Sequence, residues 1–272
     1  MKATVLIDNI SQQELAAEWG LSIWIEYQGK KILLDTGASG KFLENAAQLG
    51  IAVSQADYGV LSHAHFDHAD GMEAFFNENE KAKFYIRQGT RENCYEKLFV
   101  FRKYIGIRKG WLEQYRDRIH YAGGDYELAP GIVLVPHKTN GLAMLGKKNH
   151  LYQRMGRHML PDDFAHEQSL VFETPKGLVV FNSCSHGGAD TIIKEVAATF
   201  PDKRIAALIG GFHLFMTPEK EVRALAERIR ATGIGRVYTG HCTGDKAYRI
   251  LKEELGGQVE QLSTGLVMEF DY

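Results

Sequence analysis

In the ten residues Ser62-His63-Ala64-His65-Phe66-Asp67-His68-Ala69-Asp70-Gly71, three histidines and a carboxylate fall within six positions. They follow the apolar run Tyr58-Gly59-Val60-Leu61, so a strand ends by presenting four metal-ligand side chains together. Imidazole and carboxylate suit zinc, iron or manganese, and a site with an open position holds a reactive water. In an extended segment, His63 and His65 project to the same side, while Asp67 and His68 belong to the turn into a helix. This spacing predicts two metals about 3.5 Å apart, the first on His63/His65 and the second on Asp67/His68, with a shared hydroxide. The competing reading, a solvated loop that happens to be rich in histidine, ill fits the strand before it and the glycine after it.

Further histidines recur at strand ends. Apolar strands ending near Leu61, Phe181, Ile209 and Tyr238 each hand over to a glycine- or serine-flanked histidine: the first cluster, then His186, His213 and His241. If those ends share one edge of stacked sheets, the histidines converge. His186 and His241 are therefore candidate ligands, against the alternative of capping or core histidines. His213 stands between ligand, acid/base group and packing residue. Cys184 and Cys242 adjoin these segments; a thiolate binds zinc well, yet buried cysteines also serve as small apolar fillers. Asp35, at the tip of Leu33-Leu34 and before Thr36-Gly37, either caps a turn or orients a ligand histidine from behind. His120, His137, His150 and His158 lie in polar contexts that assign none of them to metal.

The elements that must position these groups alternate between strand and helix. Ala3–Ile7 reads as a strand, 21–27 and 31–34 as a hairpin, and 41–49 as a helix stopped at Gly50. Residues 57–61 form the next strand, 72–77 a helix and 84–86 a short strand. Residues 91–107, with aromatics among basic residues, read as a helix, and strands return over 119–121, 125–128 and 132–135. Residues 137–165 show no clear period and suit a lid or binding loop. Hairpin 169–173/177–182 is the clearest in the chain, with a helix over 190–200 after it. Strand 206–209, helix 218–231, strand 236–239, a helix through Ile250-Leu251 and strand 266–270 complete the chain. The class is α/β in a layered arrangement.

The chain has 272 residues, 44% hydrophobic and 24% charged, which suits one domain over 1–272. A basic insertion or lid is expected over about 87–118 and 137–165. The start of the chain lacks a signal-peptide pattern and no apolar run reaches a membrane span, so a cytoplasmic protein with no membrane partner is expected. Three cysteines at unrelated spacings argue against a disulfide framework. The net charge of −2 conceals an island: residues 81–160 carry 16 Lys and Arg against 6 Asp and Glu. Arg91, Arg102, Lys103, Arg108 and Lys109 there suit an anionic substrate. Its aromatics could stack on a heterocycle, although an aromatic stripe is more often packing. A solvated face explains the charge better than a nucleic-acid surface.

Ser62-His63-Ala64-His65-Phe66-Asp67-His68, preceded by Leu33-Leu34-Asp35-Thr36-Gly37 and followed by the His186 and His241 segments, resembles the metallo-β-lactamase superfamily. Glu18-Trp19-Gly20-Leu21-Ser22, Asn182 to Gly188, Gly210-Gly211-Phe212-His213-Leu214 and Gly240 to Gly244 are similar to its dihydropteroate-synthase-like or ribofuranosylaminobenzene-phosphate-synthase-like branch. The resemblance implies a four-layer αββα sandwich with the metal site on one edge. By position it makes His63, His65, Asp67 and His68 ligands and His241 the last histidine of the second metal site. Two segments depart from the pattern. Ser183-Cys184 stands where a Gly-Asp with a bridging aspartate is usual, and His166-Glu167-Gln168 stands where the third motif places its histidine. His186 or Glu167 would then supply the remaining ligand.

Together these features predict a metallo-hydrolase, with two zinc ions expected and iron or manganese possible. A metal-bound hydroxide would attack a small anionic substrate, phosphorylated or a phosphodiester. Asp67 would hold metal and orient the nucleophile, and His213 would donate a proton to the oxyanion or leaving group. Two alternatives stand beside it: a pterin-related synthase using a phosphoribosyl donor, and a metal-dependent protein that binds an anion or nucleic acid without turnover. A di-iron redox role is also open, although no flavin-binding segment is visible.

Overall fold

The computed structural model describes every residue except 12, 13, 271 and 272. In chain order the strands are β1 (Lys2–Ile7), β2 (Ser22–Tyr27), β3 (Lys30–Leu34), β4 (Tyr58–Val60), β5 (Lys83–Arg87), β6 (Cys94–Leu98), β7 (Phe101–Tyr104), β8 (Ile119–Ala122) and β9 (Tyr126–Ala129). They continue as β10 (Ile132–Pro136), β11 (Leu151–Met155), β12 (His158–Pro161), β13 (Gln168–Thr174), β14 (Gly177–Phe181), β15 (Ile205–Ile209), β16 (Arg236–Thr239), β17 (Val259–Gln261) and β18 (Val267–Glu269). One sheet runs β18-β1-β2-β3-β4-β5-β8 and a second β17-β16-β15-β14-β13-β10-β9, each of seven strands.

Side-chain alternation along these strands sets the layers. In β2, Ile23 and Ile25 belong to a buried cluster with Leu134, Phe172, Val179 and Phe181 of the other sheet. Trp24, between them, faces the opposite way and joins Phe42, Ala46 and Phe75 of helices Lys41–Gln48 and Met72–Glu78. The second sheet repeats the pattern. Phe181 and Ile209 point inward, whereas Val180 and Leu208 lie under helices Ala189–Thr199, Glu219–Ala231 and Asp245–Leu255. Each such side chain, fully buried, contributes about 1.5–3 kcal/mol. The result is the αββα sandwich. No helix among the described residues is long and apolar enough to cross a membrane.

Two segments differ from the sequence expectation. Residues 91–107 do not form a helix; they fold into the hairpin β6–β7, turning at Phe99-Val100 with Phe99 at φ 53°. Tyr, Phe and Val favour a pleated surface, and alternation with period two competes with the helical pattern that the same residues suggest. Residues 137–165 are not an irregular loop either. They contain helix Ala143–Lys148 and the hairpin β11–β12. β11 pairs antiparallel with β6, so the two segments join into one four-stranded sheet, β12-β11-β6-β7. The halves are remote in sequence, and neither carries a period that reveals the other. Backbone bonds from Phe66 N to Ile105 O and from Ile107 N to Ala64 O, 2.9 and 3.1 Å, tie this small sheet to the histidine-rich loop.

Candidate metal centre

Parallel pairing levels the strand ends. Phe181 pairs with Ile209 and Ile209 with Tyr238, so β14, β15 and β16 release their loops side by side. In the other sheet Leu34 pairs with Val60, so Asp35 and Ser62 leave neighbouring strands together. Asp35, Ser185, His213 and His241, all in these loops, have φ between 47° and 57°. For residues other than glycine this left-handed conformation is costly and marks sites where surrounding structure over-determines the backbone.

Six predicted ligands come together in two groups. Donor atoms of His63, His65 and His186 lie within 4.8 Å of one another, as do those of Asp67, His68 and His241. In the second group His68 Nε2 is 3.2 Å from His241 Nε2, and Asp67 Oδ2 is 3.4 Å from His241 Nε2 and 3.9 Å from His68 Nε2. Donors about 2.0–2.1 Å from one tetrahedral ion stand roughly 3.3 Å apart, so these spacings suit a cation. The first group supplies the stronger sign. His63 Nε2, His65 Nε2 and both ring nitrogens of His186 are buried without a protein partner. Buried polar atoms are rarely left so, and neutral imidazoles aimed at a common point fit a divalent metal.

Neighbours fix which nitrogen faces the centre. His68 Nδ1 donates to Asp35 Oδ2 at 2.8 Å, and His241 Nδ1 donates to Asn9 Oδ1 at 3.0 Å, turning each Nε2 toward the centre. Ser62 donates its hydroxyl to Asp35 Oδ2 at 2.7 Å and so accepts from His63 Nδ1 at 2.8 Å, freeing His63 Nε2. Such outer partners lock ring orientation and raise ligand basicity. Burial, reinforced by surrounding imidazoles, holds His63 and His186 well below the ordinary histidine range and pushes His65 down to about 3. Burial opposes ionisation of Asp67, yet His68 and His241 hold its carboxyl below the usual range. His241 is pushed up to about 9, its anionic neighbours Cys242, Asp67 and Asp8 outweighing burial, so it carries a proton that a metal would displace.

Other expected residues take different places. Glu167 brings no free ligand atom: Oε1 accepts the His186 amide at 3.1 Å, while Oε2 accepts the Gly187 amide at 3.3 Å and meets His137 Nε2 at 2.5 Å. It holds the His186 loop from behind. Cys184 lies against the centre, Sγ 3.2 Å from His68 Nε2. His213 lines the adjoining cavity, its ring 4.5 Å from that of His186. This cavity, of about 400 Å³, is also lined by Trp19, Phe66, Phe215, Glu96 and Lys103. Arg91 and Arg102 do not line it, since Arg102 lies on the opposite face of β7 from Lys103. Arg108 and Lys109 instead cover the Trp111 and Tyr104 rings, so those aromatics are engaged within the protein.

Several supporting residues escape the sequence reading. His166 accepts the Ala64 amide at Nδ1, 3.2 Å away, and therefore carries its proton on Nε2, which donates to Asp162 Oδ2 at 3.0 Å. Both nitrogens are engaged, so His166 buttresses the ligand loop. His137 bridges Glu167 and Glu195, with Nδ1 2.9 Å from Glu195 Oε2. Asn9 follows a strand end, Ile7-Asp8, as the histidines do, and that shared position was the available signal.

A family model described as the metallo-beta-lactamase superfamily matches residues 20–151. The chain is 27% identical to a Methanocaldococcus jannaschii protein named 7,8-dihydropterin-6-methyl-4-(beta-D-ribofuranosyl)-aminobenzene-5'-phosphate synthase, over 97% of this chain and 98% of that one. Among solved structures it is similar to Tm1679, described as a metal-dependent hydrolase of the beta-lactamase superfamily. Identity there is 28%, the TM-score 0.85, and all of both chains is covered. Zn(2+)-bound PqqB from Methylobacterium extorquens, 12% identical with a TM-score of 0.57 over 99% of this chain and all of that one, shares the fold. Sequence motifs, sandwich and these likenesses agree: the chain has the metallo-β-lactamase fold, and its residues 20–151 match that superfamily's model.

Proposed function

We propose that this protein is a binuclear metal-dependent hydrolase acting on a small, partly aromatic, anionic substrate, with a phosphoester as the leading class. The observation that carries this reading is the set of unpartnered, buried imidazole nitrogens beside a cavity of about 400 Å³. His63, His65 and His186 would hold one divalent ion and Asp67, His68 and His241 the other, most simply zinc. When bound, such ions activate water and polarise the scissile bond.

The chain's own residues supply the rest. Lys103 Nζ, which also lies 5.9 Å from the Phe66 ring centre, offers a cation to the substrate's anionic group. Trp19 and Phe215, ring centres 5.6 Å apart and edge to face, give an apolar wall on the other side. His213 at the cavity edge is placed to pass a proton to a leaving group. Glu96 pairs in register with Lys103 and offers an acceptor to an N–H donor on the substrate. Elemental analysis with a screen of phosphomono- and phosphodiesters tests the proposal. Metal-dependent turnover abolished in His65→Ala supports it, and full activity in the metal-free protein overturns it.

A second reading takes its lead from the name of the M. jannaschii relative, whose product joins a 7,8-dihydropterin-6-methyl group to a ribofuranosyl-aminobenzene 5'-phosphate: a pterin-related synthase. The same aromatic walls and Lys103 suit such a substrate, and the likeness spans 97% of this chain. Formation of a joined pterin–arylamine product that depends on both partners, absent in simple hydrolysis, separates the two.

A further inference from the structure

We propose that Cys184 is the ligand shared between the two metal subsites, making this a thiolate-bridged centre; the proposal rests on the metal reading above. Cys184 Sγ forms one close group with His63 and His68 and another with His241 and Cys242, all within 4.8 Å in each group. It is thus the side chain that reaches a donor of the first subsite and two of the second. His63 Nε2, buried and without a partner, belongs to that same space.

Among the described residues, Asp67 groups only with donors of the second subsite, and the carboxylates packed beside the first subsite are engaged elsewhere. Glu167 is engaged by two amides and His137, and Asp162 by His166, Gln153 and the Phe164 amide. Cys242 is placed behind Cys184, 3.4 Å from it, and its sulfur accepts the His213 amide at 3.2 Å. The backbone makes room for this arrangement. A Cβ at Gly211 would lie 2.5 Å from Cys242 Sγ and 3.0 Å from Ser183 O, so only glycine lets the two loops close over the end of β15. Binding exchanges the thiol proton for metal: the S–H bond breaks, two sulfur–metal bonds form, and the proton leaves to solvent. A thiolate in this place favours zinc, cobalt or iron over manganese and magnesium.

Cobalt(II) provides a readout independent of turnover. Wild-type protein loaded with about two equivalents of Co(II) should show a sulfur-to-cobalt charge-transfer band in the near ultraviolet, kept in Cys242→Ser. Cys184→Ser and Cys184→Asp should lose the band, with Cys184→Asp still binding about two ions through its carboxylate. X-ray absorption on the wild type, which needs no variant, should give about one sulfur neighbour per cobalt for a shared thiolate and about half that for a thiolate on one ion. Two bound cobalts without the band, a band that survives in Cys184→Ser, or the half value overturns the proposal. Failure of the wild type to take up cobalt would overturn the metal reading and this inference together.

Discussion

Asp35 Oδ2 accepts His68 Nδ1 at 2.8 Å and the Ser62 hydroxyl at 2.7 Å, while Oδ1 of the same buried carboxylate accepts the Ser62 amide at 2.7 Å. One acid therefore orients a ligand of the second subsite directly and, through Ser62, a ligand of the first. Asp35→Asn should lower metal affinity about 10–100-fold with activity recovered at saturating metal, as loss of an outer hydrogen-bond partner does. Competition with a chromogenic chelator measures this. Unchanged affinity would remove Asp35 from the account.

The His137 bridge makes a pH prediction. Burial works against its charge, but hydrogen bonds to Glu167 and Glu195 outweigh burial and push it up to about 9. With an unfolded value near 6.5, the stabilisation is fully present below about pH 6.5 and lost as pH rises through about 9, amounting to ~3 kcal/mol. Denaturant unfolding of the metal-free protein should therefore show His137→Gln markedly less stable at pH 6, with the gap to wild type narrowing by pH 10. A gap that is constant with pH contradicts the charged bridge.

Lys103 and Arg102 are adjacent in sequence but face opposite ways. Lys103→Ala should raise KM for an anionic substrate about 10-fold or more, as loss of a charge-assisted contact worth ~1.5–3 kcal/mol implies, with a smaller change in kcat. Arg102→Ala and Arg91→Ala should leave both constants near wild type. Equal effects from all three would point to a diffuse field instead of a contact.

His166 differs from His65 in having both nitrogens occupied. His166→Ala should cost about 1–3 kcal/mol of stability through the unsatisfied Asp162 and Ala64 groups yet still bind both metals at saturation. His65→Ala should lose an ion. Loss of one metal in His166→Ala would make it a ligand and revise the first subsite.

Much of this was legible in the sequence because strand ends and histidines are local signals. Ser62 to Gly71, the 169–182 hairpin and the His186, His213 and His241 loops each carry their own pattern. The small sheet was not legible, because β6 and β11 stabilise each other across more than fifty residues and the aromatic and basic residues of 91–107 fit either period. The roles of Glu167, His166 and Asn9 were hidden for a related reason. Each acts by occupying a backbone amide or ring nitrogen of a residue distant in sequence, which leaves no spacing to read.

Metal stoichiometry of the purified protein, measured by equilibrium dialysis and elemental analysis, tests the central claim most directly. Two subsites require about two divalent ions in the wild type and about one in either His65→Ala/His186→Ala or Asp67→Asn/His241→Ala. A wild type that binds no ion, or double variants that both retain two, would contradict it.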